Sequence, residues 1–208
     1  MKLKKLVIKA PFAHFGEPYG SKHQLTYNHP PPSTVLGTLR VIFGEDINNF
    51  VFGYTFKYDA KVKDSITIHK LKFGKKKSIG SDCCRRDYLY NCKLTIYTSI
   101  DADIKMNYIL TLGKSGNLAR LELPIANTEL KEKTGIAYNQ FSPINIGTGV
   151  IKRYSMNSVY SKKLQSFDSL SKNLRFNTEL KYNKNYDEDD EQNILLWKFK
   201  DGEVSFCD

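Results

Sequence analysis

No apolar stretch of this sequence comes near the roughly 18–20 residues that a membrane-spanning helix needs, so no membrane partner is expected. A leader is missing too. Met1-Lys2-Leu3-Lys4-Lys5 has the charge of one, but only Leu6-Val7-Ile8 follows before Lys9, too short for the apolar region of a signal peptide. Cysteine is sparse: Cys83 and Cys84 are adjacent, Cys92 follows, and Cys207 stands next to the C-terminus. That spacing matches no zinc pattern, so reduced thiols, a cytoplasmic setting and no metal or other cofactor are expected. Glycine builds no phosphate loop of the strong kind. Gly147-Thr148-Gly149 reads as a turn, and Gly113-Lys114-Ser115-Gly116 lacks the upstream glycine of a Walker sequence.

Negative charge is also in short supply. Lys and Arg number 32 against 22 Asp and Glu, a formal +10 on 208 residues. Tyrosine (13) and phenylalanine (12) are abundant while tryptophan occurs once, and so many bulky residues imply a packed interior. A basic, aromatic-rich globular protein is expected to meet polyanions. The charge is local. Residues 61–95 hold a net +7, marked by Lys75-Lys76-Lys77 and Arg85-Arg86. Residues 187–208 hold a net −6, mostly in Asp187-Glu188-Asp189-Asp190-Glu191, which reads as a solvated loop.

Periodicity predicts an α+β chain. A first strand is expected over Leu3–Ile8 and a long loop from Pro11 to Pro32. A helix should then start at Ser33 as N-cap, with Val35, Leu36, Leu39, Ile42 and Phe43 on its inner face and Gly44 as its end. Strands are expected over Val51–Tyr58, Ser65–Phe73 and Tyr88–Thr98, the last two joined through Gly74 and the lysine triplet as a basic hairpin. Asp101–Ile109 reads as helical, Asn117–Leu121 as a short turn or helix, and Lys162–Leu174 as a helix or loop. Ile194–Phe199 and Glu203–Phe206, joined by Asp201-Gly202, read as a terminal hairpin. A ferredoxin-like (RRM-like) core with an inserted basic β-hairpin satisfies this order, in a single domain spanning 1–208 with the insertion at about 60–95.

Two regions carry candidate chemistry. In the hairpin, Lys70, Lys72, Lys75, Lys76, Lys77, Arg85 and Arg86 interleave with Phe73, Tyr88 and Tyr90, the cation-and-ring mixture that holds single-stranded nucleic acid. In the first helix, Ser33 and Thr34 supply an anion-attracting N-terminus, and Ser33, Gly37 and Arg40 share one face, where Gly37 either lets a sugar–phosphate backbone come close or merely admits a neighbouring strand. The preceding loop crowds His14, His23 and His29 with Tyr19, Lys22 and Tyr27. Such residues could cleave RNA without metal by general acid–base chemistry or hold phosphates and stack bases without reacting. Binding is favoured over catalysis, and no catalytic residue is assigned.

The stretches Ala13-His14-Phe15-Gly16-Glu17-Pro18-Tyr19, Leu25-Thr26-Tyr27 and Pro31-Pro32-Ser33-Thr34-Val35-Leu36-Gly37 resemble the N-terminal signature of the Cas-five family of CRISPR proteins, in the RAMP superfamily. Asn28 stands where that family commonly has Pro. Arg86-Asp87-Tyr88-Leu89-Tyr90-Asn91 is similar to the family's return from its basic insertion. Leu112-Gly113-Lys114-Ser115-Gly116-Asn117-Leu118-Ala119 is similar to a later segment, with Lys114 in place of Arg and Gly116-Asn117 in place of an acidic pair. Residues 125–193 match no known pattern. The resemblance implies a subunit of a type I Cascade complex, I-B-like in style, that caps the 5′ handle of the CRISPR RNA in antiviral defence. It implies an extended hairpin thumb, contacts to the Cas-seven backbone subunit and the large Cas-eight subunit, and target DNA reached only through the complex. The RNA-binding residues expected on both grounds are Lys22, His23, Tyr27, Ser33, Thr34, Gly37, Arg40, Lys114 and the seven hairpin cations named above. The alternative is a metal-independent endoribonuclease that processes the precursor RNA, using His23 or His29 with Tyr27 and Lys22.

Overall fold

The first strand sets the pattern for the rest. β1 (Lys2–Ala13) sends Leu6, Ile8 and Ala10 to one face and Leu3 and Lys5 to the other, as the two-residue period of a strand requires. The structure is a computed structural model and describes residues 1–17, 23–71, 78–106, 108–161 and 166–207, without the side chains of 68–71, 78–79, 159–161 and 166–168. After β1 come β2 (His23–Gln24), α1 (Pro32–Phe43), β3 (Phe50–Lys57), β4 (Ala60–Leu71) and the long β5 (Ser78–Thr98). Then follow β6 (Arg120–Leu121), β7 (Ala126–Glu129), β8 (Gly135–Ser142), β9 (Val150–Ser161) and β10 (Ser166–Tyr182). The chain closes with β11 (Tyr186–Asp187), β12 (Gln192–Asn193), β13 (Leu196–Lys200) and β14 (Glu203–Phe206).

The main sheet runs β14-β13-β3-β5-β1-β6, with β2 and β4 added along β5 and β7 along β1. A second sheet runs β8-β10-β9. Leu6 and Ile8 on β1, Phe52, Tyr54 and Phe56 on β3, and Leu94 and Ile96 on β5 line one face of the main sheet. That face is covered by Val35, Leu36, Leu39, Ile42 and Phe43 of α1 and by Phe141, Tyr154, Met156 and Leu174 of the second sheet. α1 begins two residues earlier than expected. Pro31 is its N-cap and Pro32 its first residue, where a missing N–H costs nothing, so Ser33 lies inside the first turn. Gly44, at φ 105°, ends it as expected.

The expectation of a ferredoxin-like α+β core is overturned. Strands hold 58% of the described residues, and α1 is the one helix among them. The described residues of 101–109 have no regular structure, because the N–H groups of Lys105 and Met106 donate to the carbonyl of Ile42 at 2.8 and 3.2 Å and finish α1 instead of building a helix. Asn117–Leu121 is a turn leading into β6. From Ser166 the expected helix or loop is the strand β10, paired with β9 on one side and β8 on the other. The terminal hairpin forms as β13 and β14, with positive φ at both Asp201 (50°) and Gly202 (86°), which suits a two-residue turn between twisted strands. Gly147 likewise lies in a turn, at φ 82° just before β9. Among the described residues no helix is long and apolar enough to cross a membrane.

The other face of the main sheet carries Leu3, Tyr97, Leu130, Ile194 and Leu196. Gly53 is required there, since a Cβ would stand 2.7 Å from Ile194 and 2.8 Å from the carbonyl of Leu195. Asp187 and Asp190 of the acidic run fold onto this face, which corrects the reading of the run as a solvated loop at those two residues, while Glu188, Asp189 and Glu191 stay exposed. Asp187 is only 1% exposed. Its carboxylate accepts from the Lys5 ammonium at 2.8 Å and from the Tyr97 hydroxyl at 2.7 Å, and Asp190 also bonds Tyr97 and lies 3.1 Å from Lys5. Burial pulls the Lys5 pKa down, but hydrogen bonds to Asp187 and Asp190 outweigh it and leave it above the usual lysine value.

Lys5 is therefore the counter-charge that makes burial of Asp187 tolerable. Replacing Lys5→Met keeps the volume and strands the carboxylate, which is expected to lower the unfolding free energy by about 3–5 kcal/mol in urea titration at pH 7.

Candidate nucleic-acid interface

From Lys93 to Thr98 β5 lies between β1 and β3, at Leu89 and Tyr90 it lies between β1 and β4, and its outer part pairs with β4 alone except for a parallel contact with β2. The two long strands thus form a hairpin arm rooted in the sheet, with its tip at 72–77 outside the described residues. At the root, Asn91 adopts φ 52° and the alternation of side chains reverses. Cys92 and Leu94 face the core, but so does Leu89 rather than Tyr90, and Tyr90 is turned outward and 46% exposed.

The reversal also buries Asp87, at 2% exposure. The Nε2–H of His23 donates to its Oδ1 at 2.6 Å, the Lys61 ammonium lies 3.5 Å from Oδ2, and the Nδ1–H of His14 donates to its backbone carbonyl at 2.7 Å. Burial pushes the Asp87 pKa up, but His23 and Lys61 outweigh it and hold the carboxyl below the usual range. One ionised residue thus ties β2, β4 and the end of β1 to the base of the arm. Lys61 reaches further, donating to the Thr26 carbonyl at 3.0 Å.

Beside this anchor the cations go unanswered. Gln24 Oε1 accepts from Arg86 Nε at 2.7 Å and from Lys114 Nζ at 3.3 Å, so one neutral amide gathers two positive side chains. Neither meets a carboxylate among the described residues. Gly113 allows this approach: its φ is 87°, and a Cβ would collide with the His14 carbonyl. Burial first and then Arg86 lower the Lys114 pKa. Burial likewise lowers that of His14, with Lys114 and Arg86 adding to the effect against its hydrogen bond to Asp87. In both groups the neighbouring cations add to the effect of burial. Aromatic rings continue the strip. Arg86 donates to the Tyr88 hydroxyl at 3.1 Å, Tyr88 packs on Phe12 at 6.1 Å, and Phe12 packs on Tyr90 at 5.5 Å. Phe12 and Tyr90 are each nearly half exposed. Unpaired cations followed by accessible rings suit a single-stranded polyanion that carries bases.

The expected site residues fall into separate groups. His23, Arg86 and Lys114 come together at the arm's base, and exposed Arg85 lies opposite His23 on β5. Lys70 is on β4 with its side chain outside the described set, and Lys22, Lys72, Lys75, Lys76 and Lys77 lie outside it entirely. Ser33, Thr34, Gly37 and Arg40 sit elsewhere. Arg40 donates to Asn157 at 3.2 Å and lies over the Phe199 ring, past the Thr98 end of β5 and about 40 Å along that strand from Arg86 at 3.3 Å per residue. No atom lies within 4 Å of a Cβ placed on Gly37, so no described strand packs against that position. Tyr27 is buried, and its hydroxyl donates to the Arg153 carbonyl at 3.3 Å. His29 is caged by Phe56, Phe141 and Phe176, and burial drives its pKa down to about 3. Sequence reasoning missed Gln24, Phe12, Lys61 and the anchoring by Asp87. The available signal was Asp87 itself, a rare acid within the +7 block.

No family model matches this sequence, and no curated protein does. The fold is similar to a chain of a solved structure described as a CRISPR RNA-guided surveillance complex. The TM-score is 0.55 at 12% identity, over 86% of this chain and 91% of that one. At that identity the likeness is one of fold.

Replacing Asp87→Asn is expected to lower stability by about 1–3 kcal/mol at pH 7, because His23 and Lys61 lose a charged partner and one of its two acceptor oxygens becomes an NH2 donor. The folded-state pKa of Asp87 is depressed, so its contribution is present above the unfolded value near 4 and is lost as pH falls through the folded one. Urea titrations of both proteins should therefore converge as the pH drops below about 4.

Proposed function

We propose that this chain is an RNA-binding subunit of a Cascade-like CRISPR effector complex, of the Cas-five type and I-B-like, with no catalytic role. In this reading it caps the 5′ handle of the CRISPR RNA and joins the Cas-seven backbone to the large Cas-eight subunit. Target DNA is engaged through the complex. The observation that carries the proposal is the pairing of Arg86 and Lys114 on the neutral Gln24, with Tyr88, Phe12 and Tyr90 beside them. Two cations held without a carboxylate cost self-repulsion that a phosphate backbone relieves. The basic arm, the N-terminal motifs and the fold likeness to a chain of an RNA-guided complex support the same reading.

One observation favours the endoribonuclease alternative. His23 donates to a buried carboxylate while about a third of its side chain stays exposed, an arrangement that orients an imidazole for proton transfer. The partners expected for it are less suited. The Tyr27 hydroxyl is engaged, and its pKa is raised by burial and by Glu17. His29 is sealed in its ring cage.

Binding of a labelled single-stranded RNA with a repeat-derived 5′ handle, measured by anisotropy across a salt series, separates the readings. The double variant Arg86→Gln/Lys114→Gln is expected to bind at least tenfold more weakly. The slope of log K against log salt should fall by about 1.4, or roughly 0.7 for each phosphate that is no longer neutralised. An unchanged slope removes this cluster from the interface. Cleavage of the same RNA in EDTA that disappears in His23→Ala would establish the enzyme instead.

A further inference from the structure

Between the loop that precedes α1 and the edge of the second sheet lies a cavity of about 270 Å³. It is slightly smaller than the roughly 300 Å³ at which drug-sized pockets begin, so it has room for one planar ring system. Its wall is aromatic. The rings of Tyr27 and Tyr154 are 4.8 Å apart and tilted, and Phe176 closes another side. The charged groups are Glu17, Lys152 and Lys61, and Asn28 and His29 complete the polar lining. Lys152 Nζ lies 3.2 Å from Glu17 Oε1 and 5.7 Å from the centre of the Tyr27 ring, so an ammonium and a carboxylate stand side by side at the edge of an aromatic surface.

The backbone holds this arrangement. Glu17 N–H donates to the Leu25 carbonyl at 2.9 Å and Tyr27 N–H to the Phe15 carbonyl at 2.8 Å, a short ladder that fixes Glu17 relative to Tyr27. The Glu17 charge acts on both rings: burial first, with Glu17 adding to it, raises the pKa of Tyr27 and of Tyr154. About a quarter of the Glu17 side chain and nearly half of that of Lys152 remain exposed. The pair is reachable and can re-form around an incoming group.

An unstacked base read on its Watson–Crick edge is the usual target of sequence-specific RNA recognition. The four bases differ in what that edge offers a carboxylate. Adenine and cytosine present one donor beside an acceptor, and uracil one donor between two acceptors. Guanine presents two adjacent donors, N1–H and the N2 amine, beside the O6 acceptor. A carboxylate next to an ammonium complements that edge, with Glu17 accepting from N1–H and N2–H while Lys152 donates to O6.

We propose that this cavity is a guanine-selective pocket for one flipped-out nucleotide of a single-stranded RNA, with the base against Tyr27 and Tyr154 and its edge read by Glu17 and Lys152. This deepens the RNA-binding reading and rests on it, but it uses a different set of residues from the Arg86–Lys114 strip.

The test compares the full-length protein's affinity for a 12-nucleotide oligouridylate with that for oligomers carrying one central guanosine or one inosine, together with free GMP. Guanosine is expected to bind about tenfold more tightly than uridine alone, the size of one good bidentate base contact. Inosine, which lacks the N2 amine, should lose most of that gain. Glu17→Gln should abolish the guanosine preference, so that the guanosine and uridine oligomers bind with equal affinity; Lys152→Gln should reduce the preference in the same way. Salt-dependent binding of all three oligomers with equal affinity overturns the pocket while leaving the RNA-binding reading intact. So does a guanosine preference that survives Glu17→Gln. Absence of binding to any oligomer overturns both, as does binding of GMP alone.

Discussion

One buried carboxylate, that of Asp87, decides where the basic arm leaves the sheet. It bonds His23 and Lys61 through its side chain and His14 through its carbonyl, and those residues belong to three different segments. An ion so deeply placed is tolerated only where partners surround it, so the root of the arm has one arrangement rather than many. The acid is spent internally, and that is why the neighbouring cations stay available. In a block that carries +7, neutralising the nearest charges by structure would have left a bland surface. Here Gln24 does the gathering, and it has no charge to give.

Much of the local architecture was legible in the residues. The proline run with its i, i+3, i+4 apolar pattern marked α1, and Asp201-Gly202 marked the terminal hairpin. Strand alternation around the lysine triplet marked β4 and the start of β5's pairing with it. The failures have a common physical form, a local pattern overruled by a distant partner. Leu170 and Leu174 stand four apart, as on a helix face, yet they lie on β10, where a register shift between Leu170 and Ser171 breaks strand alternation. Leu170 is exposed and Leu174 buried in consequence. Asp101–Ile109 looked helical because nothing in its composition reveals that its amide groups are taken up by the end of α1.

The candidate site was legible in its chemistry and illegible in its geometry. The cation-rich composition of the hairpin and the histidine-rich loop both stood out, but the loop histidines part ways in the fold: His23 to a hydrogen bond with a buried carboxylate, His29 into a ring cage, His14 beneath the arm. The helix face with Ser33, Gly37 and Arg40 was expected to belong with the hairpin and lies near the other end of the sheet. A residue list cannot report such distances, because they depend on which strands pair.

The ion pair between Lys5 and Asp187 bridges 182 positions, and this has a consequence for how the protein is made. At about 5–20 residues per second, the ribosome takes on the order of ten to forty seconds to deliver the second partner after the first. Through that interval β1 can meet β5, but the far face of the sheet has no lid and Lys5 no counter-ion. The far face can close only once residues near 190 have emerged, so until then Leu3 and Tyr97 stand uncovered on it, in need of a partner or a chaperone.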